Sequence, residues 1–246
     1  MRTTTSPKRE SPTAKVPVLA YVQKQWVWLV ANVAGLIPLV LLIQGYTSGQ
    51  WIDPVAEVTS RTGSAALIML VASLAVTPVN IVFGWRKIIP ARKPLGLYAF
   101  FYAALHLLNF IGMDYGFSLQ AFLDDALLQK RYMIVGFSAF FILLPLAITS
   151  TKGWMKRLGQ RWKRLHQLAY VAGILAVLHF LWLVKIDITE PVIYGSILLL
   201  LLALRLPRIR KLFTRLHVKP AKQQSTRRPN LTGGKPMAEV TTTVEC

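Results

Sequence analysis

Residues 161–182 read RWKRLHQLAYVAGILAVLHFLW, a basic cluster that runs into an apolar stretch carrying His166 and His179. A run of about 20 apolar residues is what a helix needs to cross a hydrocarbon core of ~30 Å. Lipid offers the backbone no hydrogen bonds, so such a segment must be a helix that satisfies its own. An imidazole inside it is costly, and is usually paired or functional. This one stretch therefore fixes a solvent, a secondary structure and a question about two histidines.

Working outward, five further runs have comparable length and apolarity, giving spans at 26–47, 64–85, 94–116, 131–150, 164–185 and 190–206. There is no alternating strand pattern and no sequence repeat. The first run is too long, and too far from a small-residue cleavage motif, for a removable signal peptide. The expectation is an all-α integral membrane protein, a bundle of six transmembrane helices. Composition agrees: the 246 residues are 54% hydrophobic yet carry a formal charge of +19. Apolar residues in spans and Lys and Arg in loops facing an anionic leaflet reconcile the two. A nucleic-acid-binding protein would carry such charge on a soluble domain, so no nucleic-acid partner is expected.

The loops orient the chain. Arg86, Lys87, Arg92 and Lys93 follow the second span, and Lys152, Lys156, Arg157, Arg161, Lys163 and Arg164 follow the fourth. The alternate connections carry Asp53 and Glu57, then Asp114, Asp124 and Asp125, then Asp187 and Glu190. The positive-inside rule places both basic loops and both termini in the cytoplasm. Trp26, Trp28, Trp85, Trp154 and Trp182 fall near span ends as an interfacial belt. Residues 1–20 and 219–246, rich in Thr, Ser, Pro and Lys, read as disordered cytoplasmic tails around a six-helix domain at 21–218.

Cys246 is the only cysteine. An intramolecular disulfide, an iron–sulfur cluster and a thioether-linked haem are all excluded. The histidines carry the chemistry. His217 lies in a basic cytoplasmic segment and reads as a solvated surface residue. His106 lies thirteen residues beyond Lys93 and His179 fifteen beyond Arg164, placing them ~20 and ~22 Å from the basic flank. They share a level in the outer half of the membrane. His166 is ~20 Å lower, and thirteen residues of helix turn it about 140° away from His179.

Stepping back by three, seven and ten from His106 gives Ala103, Ala99 and Gly96; from His179 it gives Ala176, Ala172 and Ala169. Small-residue helix packing explains such stripes. So does room for a flat macrocycle beneath two axial imidazoles, the reading favoured here because both stripes end at a histidine. A bis-histidine b-type haem needs two neutral imidazoles at one level on facing helices. Zinc would need further ligands that these spans lack at that depth. A proton relay would need a membrane carboxylate, and none accompanies the histidines. Alternatively each histidine merely bonds a neighbouring helix, in a haem-free polytopic carrier whose Pro78 and Pro145 kink its spans.

The segments PLGLYAFFYAALH (94–106), LAITSTKGWMKRLGQRWKRLHQLAY (146–170) and AGILAVLHFLWLVK (172–185), with DPV at 53–55 and LLLALRL at 200–206, resemble the MsrQ (YedZ) family. These are the haem-binding membrane subunits of bacterial protein-methionine-sulfoxide reductase systems, within the ferric-reductase-like transmembrane proteins. The resemblance covers nearly all of the chain except the tails, and His106, His166 and His179 match the family's three histidines.

It implies a multi-pass inner-membrane b-type cytochrome that passes electrons to a periplasmic molybdopterin reductase (MsrP). The implied donors are membrane quinones or FMN, the latter fed by a cytoplasmic flavin reductase. It implies an electron-transfer subunit rather than the catalytic one, and no catalytic nucleophile is evident. Where the family often has two arginines before Leu-Gly-Leu, this chain has Arg92 and Lys93, and lysine offers a point charge rather than a bidentate fork. His166, Arg92, Lys93 and Arg164 mark a second haem, a quinone site or a flavin site, unless the arginines simply anchor the helices at the membrane interface. Ferric or cupric ion reduction is the alternative within the haem class. Larger relatives add a flavin and nicotinamide domain with Gly-rich phosphate loops, and this chain has neither the length nor the glycines.

Overall fold

Asp53 caps the longest well-bounded helix: its carboxylate accepts from the Ala56 N–H at 3.0 Å, with Pro54 in the first turn. That helix ends at Gly84, whose φ of 69° only glycine adopts readily and whose N–H returns to the Asn80 carbonyl at 3.0 Å. The computed structural model describes residues 18–128, 130–184 and 188–206. Among these, every element is helical: α1 (Val18–Thr47), α2 (Pro54–Phe83), α3 (Arg92–Asn109), α4 (Leu119–Leu128), α5 (Arg131–Ile148), α6 (Lys152–Leu158), α7 (Gln160–Leu165), α8 (Leu168–Leu183) and α9 (Thr189–Ala203). A 3₁₀ turn at Arg86–Ala91 precedes α3, and a π turn at Phe110–Asp114 ends it.

Among the described residues, five segments are long and apolar enough to cross a membrane: Gln25–Thr47, Pro54–Phe83, Arg86–Asp114, Arg131–Ile148 and Gln160–Leu183. α9 is apolar but has 15 residues, or ~22 Å at 1.5 Å each.

Several boundaries differ from those read from the sequence. α1 begins at Val18, so the described end of the expected N-terminal tail is helical. Residues 1–17, Asp187, His217 and the tail at 219–246 lie outside the described residues. The expected span at 164–185 falls within the membrane-length segment Gln160–Leu183, which carries a turn: α7 stops at Leu165, His166 caps it, and α8 restarts at Leu168. The connection after α3 contains α4, whose Phe122 packs on Met133, Phe110 and Tyr115.

Four helices form the centre. α2 packs most extensively on α3 and α5 on α8, while α3 also touches α5 and α2 touches α8. This closes a ring in which α3 and α8 stand diagonally opposite. α1 leans on α2 and α3, and α9 on α2 and α8. Two polar contacts fix these outer helices. Tyr102, fully buried, donates to the Gly35 carbonyl at 2.6 Å and accepts from the Leu39 N–H at 3.0 Å. Its hydroxyl thus sits inside the i→i−4 ladder of α1, one residue from Pro38. Arg205 donates to the Leu74 carbonyl at 2.6 Å. Pro78, inside α2, has no N–H for that carbonyl four residues earlier, and Arg205 supplies the missing donor.

Candidate functional site

His106 projects from α3 and His179 from α8 into one cavity of about 560 Å³, within the ~300–1,000 Å³ typical of cofactor sites. Their ring centroids are 6.2 Å apart and the planes meet at 84°. His106 Nδ1 lies 2.8 Å from the Thr59 carbonyl on α2, and His179 Nδ1 lies 2.8 Å from the Tyr132 carbonyl on α5. A carbonyl only accepts, so in each ring Nδ1 carries the proton and the neutral imidazole keeps its lone pair on Nε2. Neither Nε2 has a protein hydrogen bond among the described residues. The pair thus has the tautomer a metal ligand requires, fixed from the far side of each ring. Two metal–nitrogen bonds of about 2 Å, added to the two ring radii, fill the observed separation. The donor set fits an axially ligated haem.

The wall is built twice. Thr59 and Tyr132, Gly63 and Gly136, Ala66 and Ala139, Leu70 and Leu143, Ala103 and Ala176, and His106 and His179 all line the cavity. Each pair is separated by 73 positions. α2–α3 and α5–α8 thus present matching residues to the cavity, as two copies of one helix pair. The small-residue stripes divide accordingly. Ala103 and Ala176 line the cavity, whereas Ala99 and Ala172 are wholly buried in the packed core and Gly96 faces Ser73. Along these two stripes, the turn next to the histidines lines the cavity and the lower turns are helix packing.

The π turn carries Phe110, Met113 and Asp114 into the wall, and α4 adds Phe122. Beside them Lys130 lies 2.8 Å from Asp125, and Tyr115 donates to the same carboxylate at 2.5 Å. Lys130, then Tyr115, hold Asp125 below the usual carboxylate range, and Asp125 raises Lys130 in return.

His166 is not part of this cavity. It stacks on Trp162, with centroids 4.0 Å apart, and its Nε2 is buried with no partner among the described residues. Arg92 lies within electrostatic range of both His166 and Arg205. Lys93 and Arg164 are exposed. Arg205, whose guanidinium also covers the Tyr170 ring at 4.6 Å, was not among the site residues read from the sequence. Neither were Gly63, Gly136 and the carbonyls of Thr59 and Tyr132. The glycines had a signal, since G-x-x-A-x-x-x-L occurs at 63–70 and again at 136–143; the carbonyls had none.

Residues 62–177 match the family model described as "Ferric reductase like transmembrane component". The chain is 48% identical over 182 residues to the protein-methionine-sulfoxide reductase heme-binding subunit MsrQ of Xanthomonas euvesicatoria pv. vesicatoria, covering 71% of this chain and 83% of that one. It is 52% identical over 154 residues to that of Xanthomonas campestris pv. campestris, covering 62% and 70%. For Rhodospirillum rubrum MsrQ the identity is 44% over 182 residues, covering 73% and 87%. With its ferric-reductase-like match and this identity along most of the relatives' length, the chain belongs to the MsrQ family.

Proposed function

We propose that the chain is a membrane b-type cytochrome of a methionine sulfoxide reductase system, with His106 and His179 as the axial haem ligands. It passes electrons from the quinone pool, or from an FMN donor served by a cytoplasmic flavin reductase, across the inner membrane to a periplasmic MsrP-like molybdopterin reductase. The carrying observation is the pair of imidazoles in one cavity, each with Nδ1 against a backbone carbonyl and Nε2 left without a protein partner among the described residues, with ring centroids 6.2 Å apart. The relatives' printed name, a heme-binding subunit, supports the same reading.

A haem b there supplies reversible one-electron transfer. The residues do the rest. Thr59 and Tyr132 hold each imidazole in its ligating tautomer, and the cavity's many apolar side chains, among them Leu67, Leu70, Phe140 and Leu143, keep water from it. At the basic end, His166, Arg92, Lys93 and Arg164 form the donor side. With His166 Nδ1 against the Trp162 carbonyl, the buried Nε2 is an acceptor that suits a quinol hydroxyl or a flavin N–H better than a second haem, since no second histidine faces it among the described residues. Six spans, with α9 as the last, put the basic loops and both termini in the cytoplasm. The domain then runs over 21–218 between tails at 1–20 and 219–246.

The test is a dithionite-reduced minus oxidised absorption spectrum of the detergent-purified protein. Sharp b-type bands should appear in the wild type and in His166→Ala, and be absent from His106→Ala and His179→Ala. A wild type without haem, produced with ample haem supply, would leave a haem-free carrier as the reading.

A further inference from the structure

Gly63 and Gly136 sit on α2 and α5, one turn beyond the residues whose carbonyls hold the histidines. A Cβ added at Gly63 would stand 3.0 Å from His106 Nδ1 and 3.2 Å from its Cε1. At Gly136 it would stand 2.7 and 2.8 Å from the same atoms of His179. Each imidazole thus lies against bare backbone, with its edge bonded to the carbonyl one turn away. A glycine within a helix is ordinarily unfavourable relative to alanine, so helix stability does not account for a glycine at both places.

A carbonyl and a glycine together determine a ring. The hydrogen bond at 2.8 Å sets where Nδ1 points, and the absent Cβ lets the ring approach the neighbouring helix backbone closely. The two-copy architecture applies the same clamp to both histidines from opposite sides, and their planes end 84° apart. We infer that Gly63 and Gly136 are positioning residues that hold the two imidazole planes nearly perpendicular, and so set the electronic state of a metal ligated between them. This rests on the bis-histidine haem reading. Perpendicular axial imidazoles leave two iron d orbitals nearly equal in energy, whereas parallel ones split them. The oxidised low-spin iron then has one very large g value, and ligand orientation feeds into its reduction potential. Because 84° is close to the perpendicular limit, a sizeable turn of either ring lowers that g value.

The experiment is low-temperature electron paramagnetic resonance of the oxidised, haem-loaded protein in detergent, with haem-to-protein ratio and midpoint potential measured on the same samples. The variants are Gly63→Ala and Gly136→Ala, with Gly195→Ala, whose added Cβ would meet only Val177 at 3.4 Å, as a helix-glycine control. The wild type and Gly195→Ala should share one very large g value. Gly136→Ala should shift it down towards a rhombic spectrum or convert the iron to high spin, and Gly63→Ala, the looser contact, should shift it less. If Gly136→Ala does not accumulate, the milder Gly63→Ala decides. Unmoved g values and potential in the accumulating glycine variants, at wild-type haem content, overturn the inference and leave the haem reading standing. A haem-loaded wild type with a rhombic spectrum overturns it equally. A wild type with no haem overturns both.

Discussion

Arg205 donates to the Leu74 carbonyl, 131 positions earlier, at 2.6 Å, and Pro78 is the reason that carbonyl is free. A proline inside a helix removes the donor that residue i−4 would have used, and a carbonyl left so within a bundle costs free energy unless another group reaches it. The guanidinium does so while resting over Tyr170. Pro78 and Arg205 should therefore be coupled. Arg205→Met should destabilise the detergent-purified protein by about 1.5–3 kcal/mol, the range for a hydrogen bond to a charged donor. In a Pro78→Ala background, where the alanine N–H can donate to the Leu74 carbonyl, the same substitution should cost clearly less. Thermal denaturation of the wild type, the two single variants and the double variant gives the coupling; equal costs in both backgrounds would refute it.

Tyr102 joins α3 to α1 by entering the α1 ladder beside Pro38. Tyr102→Phe should cost about 1–3 kcal/mol, because a buried carbonyl and N–H lose their shared partner. Gly35 lets the rings approach, since a Cβ there would collide with Tyr98. Gly35→Ala should lower the denaturation midpoint as well, and neither change should move the haem spectrum.

The Lys130–Asp125 contact makes α4, which adds Phe122 to the cavity wall, sensitive to acid. Asp125 is held below its usual range in the folded protein. Its contribution is thus fully present above the ordinary carboxylate pKa and is lost as pH falls through the lowered folded value. Hydrogen exchange of α4 should accelerate below about pH 4, near the unperturbed value, while α2 and α3 stay protected. Asp125→Asn should remove that pH dependence.

Topology can be tested with the chain's own single thiol. With both termini in the cytoplasm, Cys246 should resist a membrane-impermeant maleimide in intact spheroplasts and react after permeabilisation. Labelling before permeabilisation would invert the proposed orientation and place the donor side at the outer face.

The sequence by itself determined that the chain is helical, that its helices suit lipid, and that His106 and His179 share a level. Those properties follow from local quantities: run length, charge spacing and a fixed rise per residue. The break at His166 and the helix α4 were hidden, because hydropathy alone does not mark where a helix stops within an apolar or polar stretch. The pairing of α2–α3 with α5–α8 was half visible. Its matching residues, such as Gly63 with Gly136 and Leu70 with Leu143, are scattered among dissimilar neighbours, so no continuous repeat stands out.

Only the tertiary structure decided what holds each imidazole. The holding groups are the carbonyls of Thr59 and Tyr132 and the missing side chains of Gly63 and Gly136. Every residue has a carbonyl, so the carbonyls leave no mark in the sequence, and the recurring G-x-x-A-x-x-x-L marks the two glycines without saying which ring each will face. The same holds for Arg205, whose acceptor is a backbone atom freed by a proline on a distant helix. Composition and periodicity report on side chains and their solvent; contacts made by the backbone exist only once the helices are packed.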